Sequence, residues 1–264
     1  MLEGEFLPDP ADGVWEVDWA TSAPASTASE ALGGTPWLQH VPVATLDRLA
    51  ADAVLHRVPA GSVLFEQSET PGFAQLLLGG CVELVAVGEA SEALIETVRP
   101  VDLLLPAAVL NRQPYLARAR VLEDSHLILI RAEAFRDAVT ADHALCLAVL
   151  ACQAAQFRRQ VKLAKNLNLR SAEERVGCYL LRLLQGTDLH TPVRLPVEKR
   201  RIAWQLGMTR ETFSRILAVM SRYGLRISGD TLEITDAAAL RARFRLDPLI
   251  DAPEPIMPLP PRHE

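Results

Sequence analysis

The sequence predicts an α+β chain: a small roll of short strands, one long helix, and a helix-turn-helix with a hairpin behind it. Three observations carry this. From His56 to about Phe135 the runs VLFEQ, AQLLLGGCVELVAV, ALIETVRP, YLARARVLE and SHLILIRAEAF alternate or form brief apolar stretches, punctuated by Gly61, Gly72 and Gly79-Gly80, the pattern of strands in a barrel or jelly roll. From about Ala141 to Leu167 apolar side chains recur at spacings of four and three, the period of a helix seam. From Pro196 to Leu225 the run PVEKRRIAWQLGMTRETFSRILAVMSRYGL reads as a helix, a glycine turn and a second helix.

Taken in order, residues 1–36 read as a flexible, acidic, Ala/Ser/Pro-rich leader without Lys or Arg, too polar to bury a core. Trp15 and Trp19 stand out there as candidates to dock on the body. A short helix follows, with Pro42 near its start and Leu46, Leu49 and Val54 on one face. The strand-rich stretch makes 37–139 a small β-roll, and 140–168 is the long helix. In that helix Leu150, Ala154, Phe157, Val161 and Ala164 form a heptad stripe, with Arg158, Arg159, Lys162 and Lys165 off it. The stripe fits a two-stranded coiled coil between chains, and packing on the protein's own roll fits it as well. Ser171 and Glu174 form a capping box that opens another helix, through Val176, Tyr179, Leu180 and Leu183, with Gly186 closing it. Residues 169–245 then hold the helix-turn-helix and the hairpin LRISGDTLEIT, whose Gly229-Asp230 turn joins two alternating strands. Residues 246–264, rich in proline, read as an unstructured tail.

Charge and composition narrow the function. The chain has 264 residues and a net charge of −6, yet residues 170–245 carry 14 Lys/Arg against 8 Asp/Glu. That local balance of +6 leaves −12 for the remainder, so an acidic body bears a basic end. Four cysteines, Cys81, Cys146, Cys152 and Cys178, lack the spacing of a zinc site, which points to a reducing cytoplasm. No signal peptide or membrane span is expected. In the second helix of the pair, Phe213 and Ile216 fall on the inner side, and Arg210, Glu211, Ser214 and Arg215 on the outer one. These outer groups suit base edges in a DNA major groove, and Thr209 with Arg210 at the helix start suits phosphate. Ala203 is small where the helices cross, and Gly207 suits the turn between them.

This order of parts resembles the Crp/Fnr superfamily of bacterial transcription regulators, over roughly residues 37 to 245 and most specifically at LGMTRETFSRIL. The resemblance implies a cyclic-nucleotide-binding-like β-roll, a dimerisation helix and a winged helix-turn-helix. Glu211, Ser214 and Arg215 match the E-x-x-S-R of the Fnr branch, while Arg210, Glu211 and Arg215 also satisfy the R-E-x-x-x-R of the Crp branch. By resemblance, Arg215 donates to guanine, Glu211 accepts from cytosine, and Ser214 contacts thymine or phosphate. Ser214 tilts the expected half-site toward TTGAT. The implied partners are a second copy of the chain, an inverted DNA repeat and, for activation, RNA polymerase. ETVRPVDLLLPAAVL and the late PLID also resemble, more weakly, the FtrB branch of the superfamily, linked to iron-transport control, and this resemblance implies no ligand chemistry.

The resemblance fails where the effector is expected. Members that bind a cyclic nucleotide hold its phosphate with Gly-Glu and, about ten residues later, Arg-Ser or Arg-Thr; here Leu105-Pro106 and Leu116-Ala117 stand there. Binding of cAMP in the usual way is not expected, unless Arg112, Arg118 or Arg120 substitutes. An Fe-S cluster needs closely spaced N-terminal cysteines, and the leader has none. The haem ligand expected just after the Val101–Leu104 strand is missing, which leaves haem open only through His40, His56 or His126. Cys178 is a candidate redox switch, with apolar neighbours that favour an inert buried thiol. The opposing class is a cupin-like binding or catalytic barrel with C-terminal assembly helices, for which the clustered H-x-H metal ligands are missing. An enzyme is therefore not expected.

Overall fold

The computed structural model describes residues 27–89, 91–184, 192–195 and 198–257. Trp15, Trp19, Gly186 and Pro196 lie outside these residues. The chain forms two compact units, one holding the described residues up to Ala164 together with 253–257, the other holding 165–252.

The first unit begins with α1 (Ala28–Gly33), where the sequence suggested flexible chain. Thr27 caps it by accepting from the Glu30 amide at 3.2 Å, and Ala31 and Leu32 are buried. A 3-10 turn at Pro36–Leu38 buries Trp37, whose Nε1 donates to the Val101 carbonyl at 3.2 Å. Helix α2 (Val43–Ala51) follows Pro42 and buries Leu46 and Leu49. Val54, expected on the same face, lies in a strand and is exposed, because the chain leaves the helix at Asp52.

Six strands make one antiparallel sheet: β1 (Ala53–Val58), β2 (Val63–Phe65), β3 (Phe73–Val87), β4 (Glu92–Val98), β5 (Asp102–Leu103) and β6 (Arg118–Arg131). The order is β1-β6-β3-β4, with β2 added to β6 and β5 to β3. β3 and β6 pair along most of their length, from Phe73 opposite Arg131 to Val85 opposite Arg118. Register shifts near Gly79 and Cys81 bend this ribbon, since an extra residue in one strand increases the local twist. Gly79-Gly80 thus mark a bulge inside β3. Gly80 has φ +88, and a Cβ there would sit 2.3 Å from Ser125 Oγ. YLARARVLE and SHLILIR merge into the single β6, while AEAF turns helical as part of α4 (Ala132–Ala141).

Both halves of the ribbon contribute to one core: Leu77 and Leu127 from one, Val82, Leu84, Ala119 and Val121 from the other, with Val98, Leu104 and Tyr115. Phe65 stacks on Tyr115 with ring centroids 3.7 Å apart. After β5, the short helix α3 (Pro106–Asn111) crosses to β6.

Helix α5 (His143–Leu169) runs for 27 residues. It is separated from α4 by Asp142, whose carboxylate accepts from the Leu145 amide at 2.9 Å and from Thr45 Oγ1 at 2.5 Å. Among the described residues no single helix is long and apolar enough to cross a membrane; α4 and α5 meet the criterion only together, across a 113° bend.

The second unit continues with α6 (Ala172–Leu183), opened by the reciprocal Ser171–Glu174 capping box. Then come β7 (Val193–Arg194), α7 (Lys199–Gln205), α8 (Arg210–Val219), β8 (Leu225–Ser228), β9 (Thr231–Ile234) and α9 (Ala237–Arg243). The strands form a small sheet in the order β7-β9-β8, so the hairpin predicted as a wing gains a third strand. Residues expected to be an unstructured tail include helix α10 (Pro248–Asp251), with Ile250 buried. Asp251 anchors it by a paired interaction with Arg170, at 2.6 and 2.8 Å. The Asp247 carboxylate caps it, accepting from the Leu249 amide at 2.9 Å.

Gly224 joins α8 to the wing at φ +80, with both the Thr235 and Asp236 amides donating to its carbonyl. A Cβ there would lie 2.1 Å from the Asp236 carbonyl oxygen. Gly224→Ala is expected to destabilise this unit by about 2–4 kcal/mol, combining left-handed backbone strain with overpacking. Gly33→Ala, with open space around it, is expected to leave the thermal melt unchanged or raised. Equal melting of both variants would contradict the assigned backbone constraint.

Candidate nucleic-acid interface

The core of the second unit dictates which face of α8 is left over. Ile202 and Ala203 from α7, Leu206 from the turn, and Phe213, Leu217 and Met220 are all buried in it. Ile216, expected on the inner side with Phe213, is half-buried and packs against this core, with Leu217 buried beside it. Ala203 at the crossing lets α7 and α8 approach closely. Gly207 turns the chain at φ +63, and the Met208 amide closes back on the Ala203 carbonyl at 3.0 Å. Thr209 then caps α8, its hydroxyl accepting from the Thr212 amide at 3.2 Å.

The opposite side of α8 presents Thr209, Arg210, Glu211, Ser214 and Arg215, all exposed. Their spacing of three and four puts them on one helix face. Arg215 Nη2 donates to Thr212 Oγ1 at 3.2 Å, which holds its stem along the helix while leaving the other donors of the fork outward. None of the described ion pairs uses Arg210, Glu211 or Arg215. Cations that the sequence reading did not single out lie in the same unit. Arg200 on α7 is exposed and sits over the Trp204 ring at 4.6 Å, and Arg222 and Arg226 are exposed near the wing. Lys199 has a different role: its ammonium donates to the Gly229 carbonyl at 2.5 Å and lies 3.9 Å from Asp230, holding the wing turn. The run EKRR was the signal for Lys199 and Arg200.

Helix α5 has two distinct faces in the first unit. Leu145, Ala148, Val149, Cys152 and Ala155 are buried. The stripe Leu150, Ala154, Phe157, Val161 and Ala164 lies on the other side and is exposed, with Leu150 at 55%, Phe157 at 70% and Val161 at 42%. Packing on the roll therefore uses residues other than the stripe. The roll-facing side carries a polar cluster. Arg159 donates to Glu96 at 2.7 Å and also engages Asp102; Gln156 donates to Asp102 and to the Leu103 carbonyl, at 2.8 and 2.7 Å; Gln160 donates to Glu96 at 2.8 Å. Burial pushes the Asp102 and Glu96 carboxyls above their ordinary range, against the pull of Arg159. Arg158 and Lys162 both reach Glu254 instead.

Leu105-Pro106 and Leu116-Ala117 stand where the resemblance expects the ligands of an effector phosphate. Leu105 has a left-handed backbone and leads into α3 with Pro106 buried. Leu116 is 83% exposed and Ala117 is buried. Arg118 is engaged by Glu66 and Glu92 at 2.7 and 2.5 Å, and Arg120 by the buried Glu83. Both lie on the face of β6 opposite the core residues Ala119 and Val121. Arg112 is exposed at the end of α3. The histidines are dispersed: His40 and His56 are exposed and His126 is half-buried. Among the described residues no group of three or more His, Cys, Asp or Glu is placed to hold a metal ion. Cys81 and Cys178 are buried; burial pushes the Cys178 thiol up, with Arg170 pulling the other way.

Comparison with known proteins places both units. Residues 174–243 match the family model described as a Crp-like helix-turn-helix domain, and residues 55–142 match the cyclic nucleotide-binding domain. A comparison with curated protein sequences finds no significant match. Among solved structures, a protein from Eubacterium rectale assigned to the Crp/Fnr family of transcriptional regulators is similar at 18% identity and TM-score 0.64, over 80% of this chain and 98% of that one. The c-di-GMP responsive global regulator CLP from Xanthomonas campestris is similar at 17% identity and TM-score 0.62, over 74% and 100%. A variant of CooA from Carboxydothermus hydrogenoformans gives 16% identity and TM-score 0.62, over 84% and 97%. At these identities the structures speak to the fold. The two family models together span more than half of the chain, in the order the fold requires, and the chain belongs to the Crp/Fnr superfamily of transcription regulators.

Proposed function

We propose that this regulator binds an inverted DNA repeat as a homodimer, pairing through α5 and reading TTGAT-like half-sites with α8. The observation that carries the reading is the exposed row Arg210, Glu211, Ser214 and Arg215 on a helix whose other side is core. In this role Arg215 donates to guanine, Glu211 accepts from a cytosine amino group, and Ser214 meets thymine or phosphate. Thr209, Arg210, Arg200 and Arg226 contact the backbone, which fixes register without reading sequence. The exposed α5 stripe supports the dimer, since a contiguous apolar helix face is unfavourable in water and suits a second copy of itself. A two-fold dimer with reading helices about one turn of DNA, roughly 34 Å, apart matches a palindrome. RNA polymerase is the further partner implied for activation, and the cytoplasm is where such a protein meets the chromosome.

The signal is not cAMP held in the usual way. Leu105-Pro106 and Leu116-Ala117 offer the phosphate no guanidinium, and Arg118 and Arg120 are already committed to carboxylates. The leader's lack of cysteine speaks against an N-terminal Fe-S cluster.

Arg215→Ala is expected to weaken binding to an inverted TTGA repeat by about 10- to 100-fold, the value of one good bidentate base contact, in a promoter footprint or an anisotropy titration. Arg99→Ala, on the roll, serves as a control with unchanged affinity. Equal, weak binding by wild type and Arg215→Ala would refute the reading. Phe157→Asp places a charge in the stripe while touching little of the chain's own core. In sedimentation at micromolar concentration, wild type is expected at twice the 28.9 kDa chain mass and the variant at the single mass. A dimer that persists unchanged in Phe157→Asp would remove the stripe from the interface.

A further inference from the structure

Arg175, in the first turn of α6, directs its guanidinium at backbone carbonyls rather than at a carboxylate. Its Nε donates to the Leu206 carbonyl at 2.8 Å, Nη1 to the Arg170 carbonyl at 2.9 Å, and Nη2 approaches the Gly207 carbonyl at 3.5 Å. Leu206 caps the C-terminus of α7, where the last carbonyls lack helical partners and a cation is favoured. Arg170 follows directly on the last residue of α5. One planar group therefore joins the end of the long helix to the turn of the helix-turn-helix. Burial without a counter-charge holds Arg175 below the ordinary arginine range.

Two neighbouring contacts act on the same joint. Leu167, in the last turn of α5, packs on Gly207 so closely that a Cβ there would lie 2.6 Å from its Cδ2. The Arg170 guanidinium is itself fixed, by Asn166 at 3.2 Å and by the paired contact with Asp251. The turn that launches α8 is thus tied to the end of α5 through carbonyls and one apolar contact, all within the second unit.

We infer that Arg175 is a positioning residue that sets the angle at which the reading helix leaves the end of α5, and so sets the half-site spacing the protein accepts. This rests on the DNA-reading function proposed above. Changing the spacer by one base pair moves the two half-sites by about 3.4 Å and rotates them by about 35°. A head held by several directed bonds resists that displacement, and a loosely held head follows it. The role needs arginine: the rigid fork of donors reaches separate carbonyls at once, whereas a lysine ammonium is a single point.

The test is anisotropy at fixed salt on inverted repeats with the spacer at its optimum, one base pair shorter and one longer, together with a duplex holding one half-site. Wild type, Arg175→Met and Arg175→Lys are compared. Wild type is expected to lose about tenfold or more for each one-base-pair change, and Arg175→Met less than about threefold, a spread within that of ordinary site discrimination. Single half-site affinity stays within about threefold of wild type in both variants, and Arg175→Lys falls between on the spacing series. If Arg175→Met melts below the assay temperature, Arg175→Lys carries the comparison. Spacing discrimination that survives in both variants overturns the inference. So does an equal loss on the single half-site and on the repeat, which marks a role in folding alone. A wild type that does not distinguish any inverted repeat from a scrambled duplex instead defeats the DNA-reading function itself.

Discussion

The two-sidedness of α5 is the constraint from which the rest of the molecule follows. One face packs on the roll, and there Arg159 lies between the carboxylates of Glu96 and Asp102. Buried ions cost several kcal/mol each to desolvate, so this cluster is tolerable only because Gln156 and Gln160 supply further donors. Two carboxylates share one guanidinium, and burial has raised both. The cluster defines one register of α5 on the roll, since sliding the helix by one residue would strand the charges. That register turns Leu150, Ala154, Phe157, Val161 and Ala164 outward. In the proposed dimer, the ion cluster thus decides which residues remain for the partner chain.

The roll matches the cyclic nucleotide-binding domain over residues 55–142, and its interior is apolar. Leu104, Tyr115, Ala117 and Ala119 belong to a continuous apolar core. Arg118 and Arg120 face the other side of β6 and pair with Glu66, Glu83 and Glu92. An effector acts only through different affinity for two states. Charged groups that bear on α5 lie at the polar seam where β4, β5 and α5 meet, as Glu96, Asp102 and Arg159.

Much of this was legible in the sequence, for identifiable reasons. The helix-turn-helix and wing were readable because Gly207, Gly224 and Gly229 occupy left-handed positions and because local capping agrees with apolar periodicity. The stripe on α5 could be read as a seam, but periodicity could not say which of two apolar faces meets the roll; that depends on Asp102 and Glu96, far away in sequence. Helices α1 and α10 were missed because their order comes from one cap each, Thr27 and Asp247, from the burial of Leu32 and Ile250, and from the Asp251–Arg170 pair. Composition alone reads such segments as flexible. Val54 was placed on a helix because a period of three to five residues does not mark where a helix gives way to a strand.

The most direct test of the central claim is the mass of the complex between the full chain and a duplex carrying one TTGAT-type inverted repeat, measured by native mass spectrometry. Two chains joined by α5 and reading with two α8 helices predict a complex of two 28.9 kDa chains per duplex. It should be replaced by free DNA, not by a one-chain complex, as protein is diluted. A stable complex of one chain per duplex would contradict the account.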